Sequence, residues 1–298
     1  MVPAFEALLR ENNLDSIDAL FANDVGERLD KPGLPAWRQR RRLVLCDPPE
    51  PPLCKGGGHG LEGSGHGLED RGQGREGVGH GPRMFYLKRF ADPPISARRE
   101  VRRSGTGAKS VAGLEWTWMN RLTREGISCV QPVAFAEELR GSREVRSAIL
   151  TKAVPGDSLE RWASRWNDNE AVRTLLAPLA KLVSRLHTAG YVHRDLYLSH
   201  IFFDPTATPD NALCLIDLQR MIRPAVNLKR WIIKDLASLN YSTPRSLVSR
   251  ADRLRWLKLY LGAVRLDDSA RCLVYRVIGK TLRIESRDAR RRLREPIP

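Results

Sequence analysis

A chain of 298 residues, 42% hydrophobic and 29% charged, is long enough to close two modest cores or one large bilobal unit. Its longest apolar runs fall well short of the roughly 20 residues that span a bilayer, and Met1-Val2-Pro3-Ala4-Phe5-Glu6 lacks the basic and apolar regions of a secretory signal, so a cytoplasmic location is expected. Fifty basic residues against 35 acidic ones give a net charge of +15, a surface that attracts polyanions such as nucleic acid, anionic membrane or a phosphorylated substrate. The five cysteines, Cys46, Cys54, Cys129, Cys214 and Cys272, are odd in number and contain no C-x-x-C pair. That argues against a disulfide framework and a zinc site and predicts reduced thiols acting as small buried apolar residues.

Along the chain, Leu8, Leu9, Leu14, Ile17, Leu20 and Phe21 recur at helical spacing and predict one or two short helices over 3–23, broken near Asn12-Asn13. Trp37 to Cys46 reads as a strand, followed by the break Pro48-Pro49-Glu50-Pro51-Pro52. Residues 55–81 hold 12 of the 23 glycines in a seven-residue repeat, GHGLEGS, GHGLEDR, GQGREGV. So few apolar side chains cannot offset that much backbone entropy, and a disordered loop is expected. The recurring His59, His66 and His80 have no fixed geometry, which favours repeat expansion over a metal site.

Phe85 to Phe90 predicts a second strand, antiparallel to the first, with the Gly-rich segment as an overgrown connection. A helix follows over about 112–125, with Leu114, Trp118 and Leu122 on one face. Ser147 to Val154 is a further strand, and the turn Pro155-Gly156-Asp157 marks a boundary: residues 1–154 form one lobe, 155–298 another. The second lobe is mostly helical. Leu175, Leu179, Leu182 and Leu186 make one apolar stripe, Gly190 is placed to end that helix, and Ile201–Phe203 with Leu213–Ile216 form a hairpin. Ser249-Arg250-Ala251-Asp252 reads as the cap of a later helix. Strands and helices are thus segregated, the α+β pattern.

The chemistry concentrates in Leu186-His187-x-x-Gly190-x-x-His193-Arg194-Asp195, followed by His200 and by Ile216-Asp217. This order resembles the catalytic loop and metal-binding strand of protein kinases and implies a bilobal protein-kinase-like fold. Phosphoryl transfer needs one carboxylate to take the acceptor's proton and another, a hard oxygen ligand, to hold Mg²⁺. The resemblance gives Asp195 the first role and Asp217 the second, with Arg194 a further catalytic residue beside the base. Lys88 matches the strand lysine that binds phosphate. Glu115 matches its helical partner, with Glu100 and Glu125 as competitors, and Asp235 matches the aspartate that props the catalytic loop. Gly26, near Lys31, is the best-placed phosphate-covering glycine.

Two positions depart from that pattern: His200 stands where protein kinases carry a metal-binding Asn, and Leu218-Gln219 follows Asp217 in place of Phe-Gly. His-Arg-Asp-Leu-Tyr-Leu-Ser-His-Ile-Phe (193–202), Ile-Asp-Leu-Gln-Arg (216–220), Arg-Trp-Ile-Ile-Lys-Asp-Leu-Ala (230–237) and Tyr-Leu-Lys-Arg-Phe (86–90) resemble the lipopolysaccharide core heptose kinases and related Kdo kinases. That resemblance implies ATP- and Mg²⁺-dependent phosphorylation of a sugar hydroxyl on an anionic glycolipid. It places the protein peripherally at the cytoplasmic face of the inner membrane, with His200 a metal ligand. A protein Ser/Thr/Tyr kinase and an inactive pseudokinase are the alternatives; nucleic acid ranks last, because no recognised binding motif accompanies the charge.

Overall fold

The computed structural model describes residues 1–22, 24–29, 34–46, 82–163 and 169–293, so the Gly-rich repeat and Lys31 lie outside the described residues. The predicted N-terminal helices form as a 3₁₀ turn, α1 (Glu6–Glu11) and α2 (Ile17–Phe21), separated by Asn13 at positive φ. Strands β1 (Glu27–Arg28), β2 (Arg38–Leu45) and β3 (Arg83–Ala91) follow, then helices α3 (Ile95–Arg103) and α4 (Val111–Arg124), then β4 (Pro132–Arg140) and β5 (Arg143–Lys152). The five strands make one antiparallel sheet in the order β1-β2-β3-β5-β4. β2 and β3 pair from Arg38↔Phe90 to Leu45↔Arg83, so the chain on either side of the Gly-rich segment is held in one hairpin-like pairing.

The two-residue period of a strand divides β3 between two environments. Phe85 and Leu87 point into a core made with Phe5, Leu8, Leu9 and Leu20, so the N-terminal helices cover that face. Phe90 points to the opposite face, into the larger core under Trp118 and Leu122 of α4, and Lys88 shares that face. α4 is seated by β5. Its three leading N–H groups, which no helix can satisfy internally, are taken by Glu144 Oε2 on Val111 (3.0 Å), Ser147 Oγ on Ala112 (3.2 Å) and Ser110 Oγ on Gly113 (3.0 Å). Burial raises the Glu144 carboxyl from its ordinary value, opposed by the hydrogen bonds from Ser147 and Val111.

The C-terminal half holds β6 (Asp157–Ser158), α5 (Leu159–Ala163), α6 (Asn169–Thr188), β7 (Ile201–Phe203), β8 (Leu213–Leu215), α7 (Leu228–Ser242), α8 (Arg250–Leu261) and α9 (Asp268–Arg292). The predicted hairpin is β7 against β8, from Ile201↔Leu215 to Phe203↔Leu213, with β6 added at its edge. At the turn before β6, a Cβ on Gly156 would meet the Phe203 carbonyl oxygen at 2.0 Å, with φ at +78°. Only glycine passes there. α6 packs on α8 and α7 on α9. The expected cap of α8 is present, Ser249 Oγ accepting from the Asp252 N–H at 3.1 Å. The cysteines depart from expectation in part: Cys46 and Cys272 are exposed, at the end of β2 and on the outward face of α9.

The halves are joined by backbone. Val130 N–H donates to the Leu215 carbonyl (2.9 Å) and Leu215 N–H to that of Ser128 (3.1 Å), tying the chain after α4 to β8. Replacing Glu144 with Ala strips an acceptor from the buried start of α4, and a loss of about 2–3 kcal/mol is expected in urea unfolding. Glu144→Gln, which keeps one acceptor oxygen, should lose less.

Candidate functional site

Three elements converge on the Lys88 ammonium. From β3 it donates to Glu115 Oε1 of α4 at 2.6 Å and to Asp217 Oδ1, just past β8, at 3.2 Å. The competitors for Glu115 are engaged elsewhere: Glu100 accepts from Arg194 (2.9 Å) and Glu125 from the Tyr191 hydroxyl. Ser110 fixes the register of α4, and Glu115 falls one turn in, fully buried, with Oε2 lacking a protein partner.

Asp217 sits in the left-handed region, φ +59°, which turns its carboxylate into the cleft. Around it lie Lys88, Arg40 of β2 (3.5 Å to Oδ2) and the His200 ring (Nε2 3.7 Å from Oδ2). Burial by itself would raise this carboxyl, but Lys88 first and then Arg40 outweigh it and hold it well below the usual carboxylate range. Gln219 gives the departure after Asp217 a function. Its amide nitrogen donates to Asp217 Oδ1 at 2.8 Å while its oxygen accepts from Arg38 at 2.8 Å. His200 Nδ1 lies 2.8 Å from the Asp195 carbonyl oxygen; with the proton there, Nε2 turns its lone pair towards Asp217.

The loop bearing Asp195 hangs on Asp235 of α7. One carboxylate oxygen accepts from His193 N–H (2.6 Å) and the other from Arg194 N–H (2.7 Å), in a fully buried position. That clamp holds Arg194 at φ +69°. Val192 and Ile222 exchange backbone hydrogen bonds of 3.1 Å, so the loop and the chain after Asp217 move as one. The His193 imidazole faces the Ile216 carbonyl oxygen at 3.0 Å, and burial depresses its pKa, which keeps it neutral.

The Asp195 carboxylate is gripped by Arg220 Nη1, 2.9 Å from each oxygen, and Lys234 Nζ lies 3.9 Å away while donating to the Arg194 carbonyl. Burial lowers the Lys234 pKa, reinforced by Arg220 and Arg194 and opposed by Asp195 and Asp235. Arg194 itself turns away from Asp195 and Asp217: its guanidinium bonds Glu100 of α3 and lies over the Trp231 ring at 5.4 Å. The cluster therefore unites Lys88, Glu115, Asp217, His200 and, on the adjoining loop, Asp195.

Gly26 is not brought to the cluster. It stands beside Leu43 of β2, whose pairing partner is Phe85, three residues along β3 from Lys88. A Cβ there would meet the Arg42 carbonyl at 2.5 Å, and its own carbonyl accepts from Arg41 (3.1 Å), so close packing of β1 on β2 demands the glycine. Conversely, Arg38, Arg40, Gln219, Arg220 and Lys234 reach the site without having been singled out for it by the sequence. The alternation of β2 puts Arg38 and Arg40 on the face of Lys88, a signal that was legible once the β2–β3 register was fixed. Arg220 and Lys234 lie within the motifs 216–220 and 230–237 that carry the family resemblance, but nothing in those motifs gives either a role at the site.

Five cations, Arg38, Arg40, Lys88, Arg220 and Lys234, face three carboxylates, Glu115, Asp195 and Asp217, which leaves two positive charges in excess and suits a polyanionic ligand. Replacing Asp235 by Ala would orphan two buried N–H groups at once. A loss of about 2–5 kcal/mol is expected in chemical denaturation, with Asp235→Asn intermediate.

Comparison with known proteins gives three findings. The profile of the lipopolysaccharide kinase (Kdo/WaaP) family matches residues 96–260. The lipopolysaccharide core heptose(I) kinase WaaP of Pseudomonas aeruginosa is 34% identical over 156 residues, 49% of this chain and 58% of the relative. A relative of the same description from Escherichia coli is 30% identical over 193 residues, 61% of this chain and 72% of the relative. The chain thus spans little more than half the length of the first of these relatives. A solved structure of WaaP in complex with acyl carrier protein has the same fold, with a TM-score of 0.59 and 24% identity across 97% of this chain and 98% of that one.

Proposed function

The chain belongs to the lipopolysaccharide kinase (Kdo/WaaP) family, and on that premise we propose that it transfers a phosphoryl group from ATP to a sugar hydroxyl of lipopolysaccharide core or a similar anionic glycolipid. The observation that carries this reading is the Lys88 ammonium shared between Glu115 and Asp217, with the Asp195 carboxylate on the adjoining loop.

Residues 1–154 form the nucleotide-binding lobe and 155–298 the lobe carrying the catalytic loop. The large sheet ends with β5 at Lys152, which supports that division. Lys88, kept in place by Glu115, neutralises phosphate oxygens, and Arg40 and Arg38 extend the same positive face. Asp217 and the lone pair of His200 Nε2, 3.7 Å apart, would hold Mg²⁺. Among the described residues no group of three or more His, Cys, Asp and Glu stands ready for a metal. Mg²⁺ is ordinarily held by one or two carboxylates completed by phosphate oxygens and water, so Asp217 fits that ion, and the nitrogen donor His200 is the weaker of the two ligands. When bound, Mg²⁺–ATP supplies the phosphoryl group and screens its charge.

Asp195 accepts the acceptor hydroxyl's proton. To do so it must be released by Arg220, whose half-exposed side chain can swing to an anionic group on the glycolipid or to the phosphoryl oxygens. Lys234, more buried, stays beside Asp195 and the transferred group. Arg194 orients the loop through Glu100 and Trp231. Among the described residues no helix is long and apolar enough to cross a membrane. The +15 charge supports peripheral contact with the anionic cytoplasmic face of the inner membrane.

Arg220 on Asp195 also favours a second reading, a pseudokinase whose base is permanently neutralised. Radiolabelled ATP with Mg²⁺ and purified lipopolysaccharide core separates the two. Asp195→Ala should cut incorporation by roughly 10²–10⁴-fold, and equal labelling by wild type and variant would overturn the catalytic role. Lys88→Met and Glu115→Gln should both weaken transfer, Lys88→Met more. Label appearing on added protein in preference to the sugar would move the acceptor class.

A further inference from the structure

Helix α9 buries one face and leaves the other with a composition that the core does not explain. Ala270, Leu273 and Thr281 are buried, with Val274 and Val277 packed against the same core. Thr281 Oγ1 bonds the Ala237 carbonyl (3.4 Å), Asn240 donates to Thr281 (3.1 Å) and Tyr241 donates to Asp288, so the helix is fixed to α7, which carries Lys234 and Asp235. On the opposite side, Tyr275, Ile278 and Leu282 recur at i, i+3 and i+7 and are 77%, 48% and 51% exposed. Single exposed apolar residues need no explanation; three large ones in register, facing away from the core on a helix of 25 residues, form a stripe.

The charge beside the stripe is one-sided. α9 carries Arg271, Arg276, Lys280, Arg283, Arg287, Arg290, Arg291 and Arg292 against only Asp268, Glu285 and Asp288. The acids are already engaged: Glu285 with Arg245 at 2.5 Å, Asp288 with Arg292 at 2.9 Å, Asp268 with Arg271 at 3.1 Å. Arg276 and Arg283, both exposed, flank Tyr275 and Leu282 on one side. An apolar stripe edged by guanidinium groups matches an anionic lipid surface, where rings and aliphatic chains enter the acyl boundary and the cations meet headgroup phosphates. A second copy of this chain would bring arginines against arginines, which argues against self-association through this face.

We propose that α9 is the element by which this protein docks on an anionic bilayer, lying in the interface with Tyr275, Ile278 and Leu282 inserted and Arg276 and Arg283 on the headgroups. The inference rests on the peripheral-membrane part of the functional reading and gives it an address; it is independent of whether the site transfers phosphate.

The test is co-sedimentation of the full chain with vesicles of phosphatidylethanolamine and phosphatidylglycerol, and with phosphatidylcholine vesicles. Wild type should partition onto the anionic vesicles and weakly onto the neutral ones. The triple variant Tyr275→Ser/Ile278→Ser/Leu282→Ser should lose at least about tenfold in partition coefficient. Arg276→Glu/Arg283→Glu should lose binding together with its salt dependence. All five positions are exposed, so unchanged circular dichroism and melting temperature confirm intact folding, and phosphate transfer to a detergent-dispersed acceptor should match wild type. Equal partitioning by wild type and both variants overturns this surface while leaving membrane attachment standing. Failure of wild type to bind any vesicle overturns the membrane reading and the surface together. Loss in the variants of a concentration-dependent dimer, or of binding to a small acidic protein, with vesicle binding unchanged, assigns the stripe to a protein partner and overturns the proposal.

Discussion

The Lys88 ammonium holds the site together, because two buried or half-buried carboxylates depend on it. Glu115 arrives on α4 and Asp217 on the chain after β8, and each lies within 3.2 Å of the same cation. A carboxylate removed from water keeps its charge only beside a compensating one. The sheet, the helix and the C-terminal hairpin are therefore bound to a common geometry. The seating of α4 by Glu144, Ser147 and Ser110 serves that geometry from the other end of the helix, since a rotation there would carry Glu115 away from Lys88.

The remaining charges are arranged around this centre in two groups. Arg40 and, through Gln219, Arg38 lean on Asp217; Arg220 and Lys234 lean on Asp195. In each group the protein carboxylate accepts hydrogen bonds that phosphate oxygens would accept equally well, and guanidinium forks suit both. Part-buried Lys234, with its lowered pKa, and half-exposed Arg220 differ in freedom: the first is held by the Arg194 carbonyl, the second can leave Asp195 without exposing a buried group.

Both departures from the protein-kinase pattern have structural partners. Gln219 connects Arg38 to Asp217, a connection Phe-Gly could not make, and His200 uses one ring nitrogen on the Asp195 carbonyl while presenting the other to Asp217. The His200 ring also stacks on His193, centroids 5.9 Å apart, which fixes its plane. These contacts explain why the two positions can differ from the usual Asn and Phe-Gly while the loop keeps its shape.

Much of this was legible in the amino-acid sequence. The alternation around Lys88, the apolar stripe of α4, the hairpin delivering Asp217 and the spacing of His193, Asp195 and Asp235 are local patterns, and local patterns survive in one dimension. So does the segregation of strands from helices that defines the fold class. The choice of Glu115 over Glu100 and Glu125 was narrowed by sequence and made by packing, since all three are acids near α4 and only burial depth and register separate them. Arg220, Lys234, Arg40 and Glu144 belong to tertiary structure alone. In a chain with fifty basic residues, residue type alone does not separate an arginine at the site from one in solvent. What distinguishes them is the carboxylate they meet from 25 to 177 positions away, a proximity only the folded chain creates.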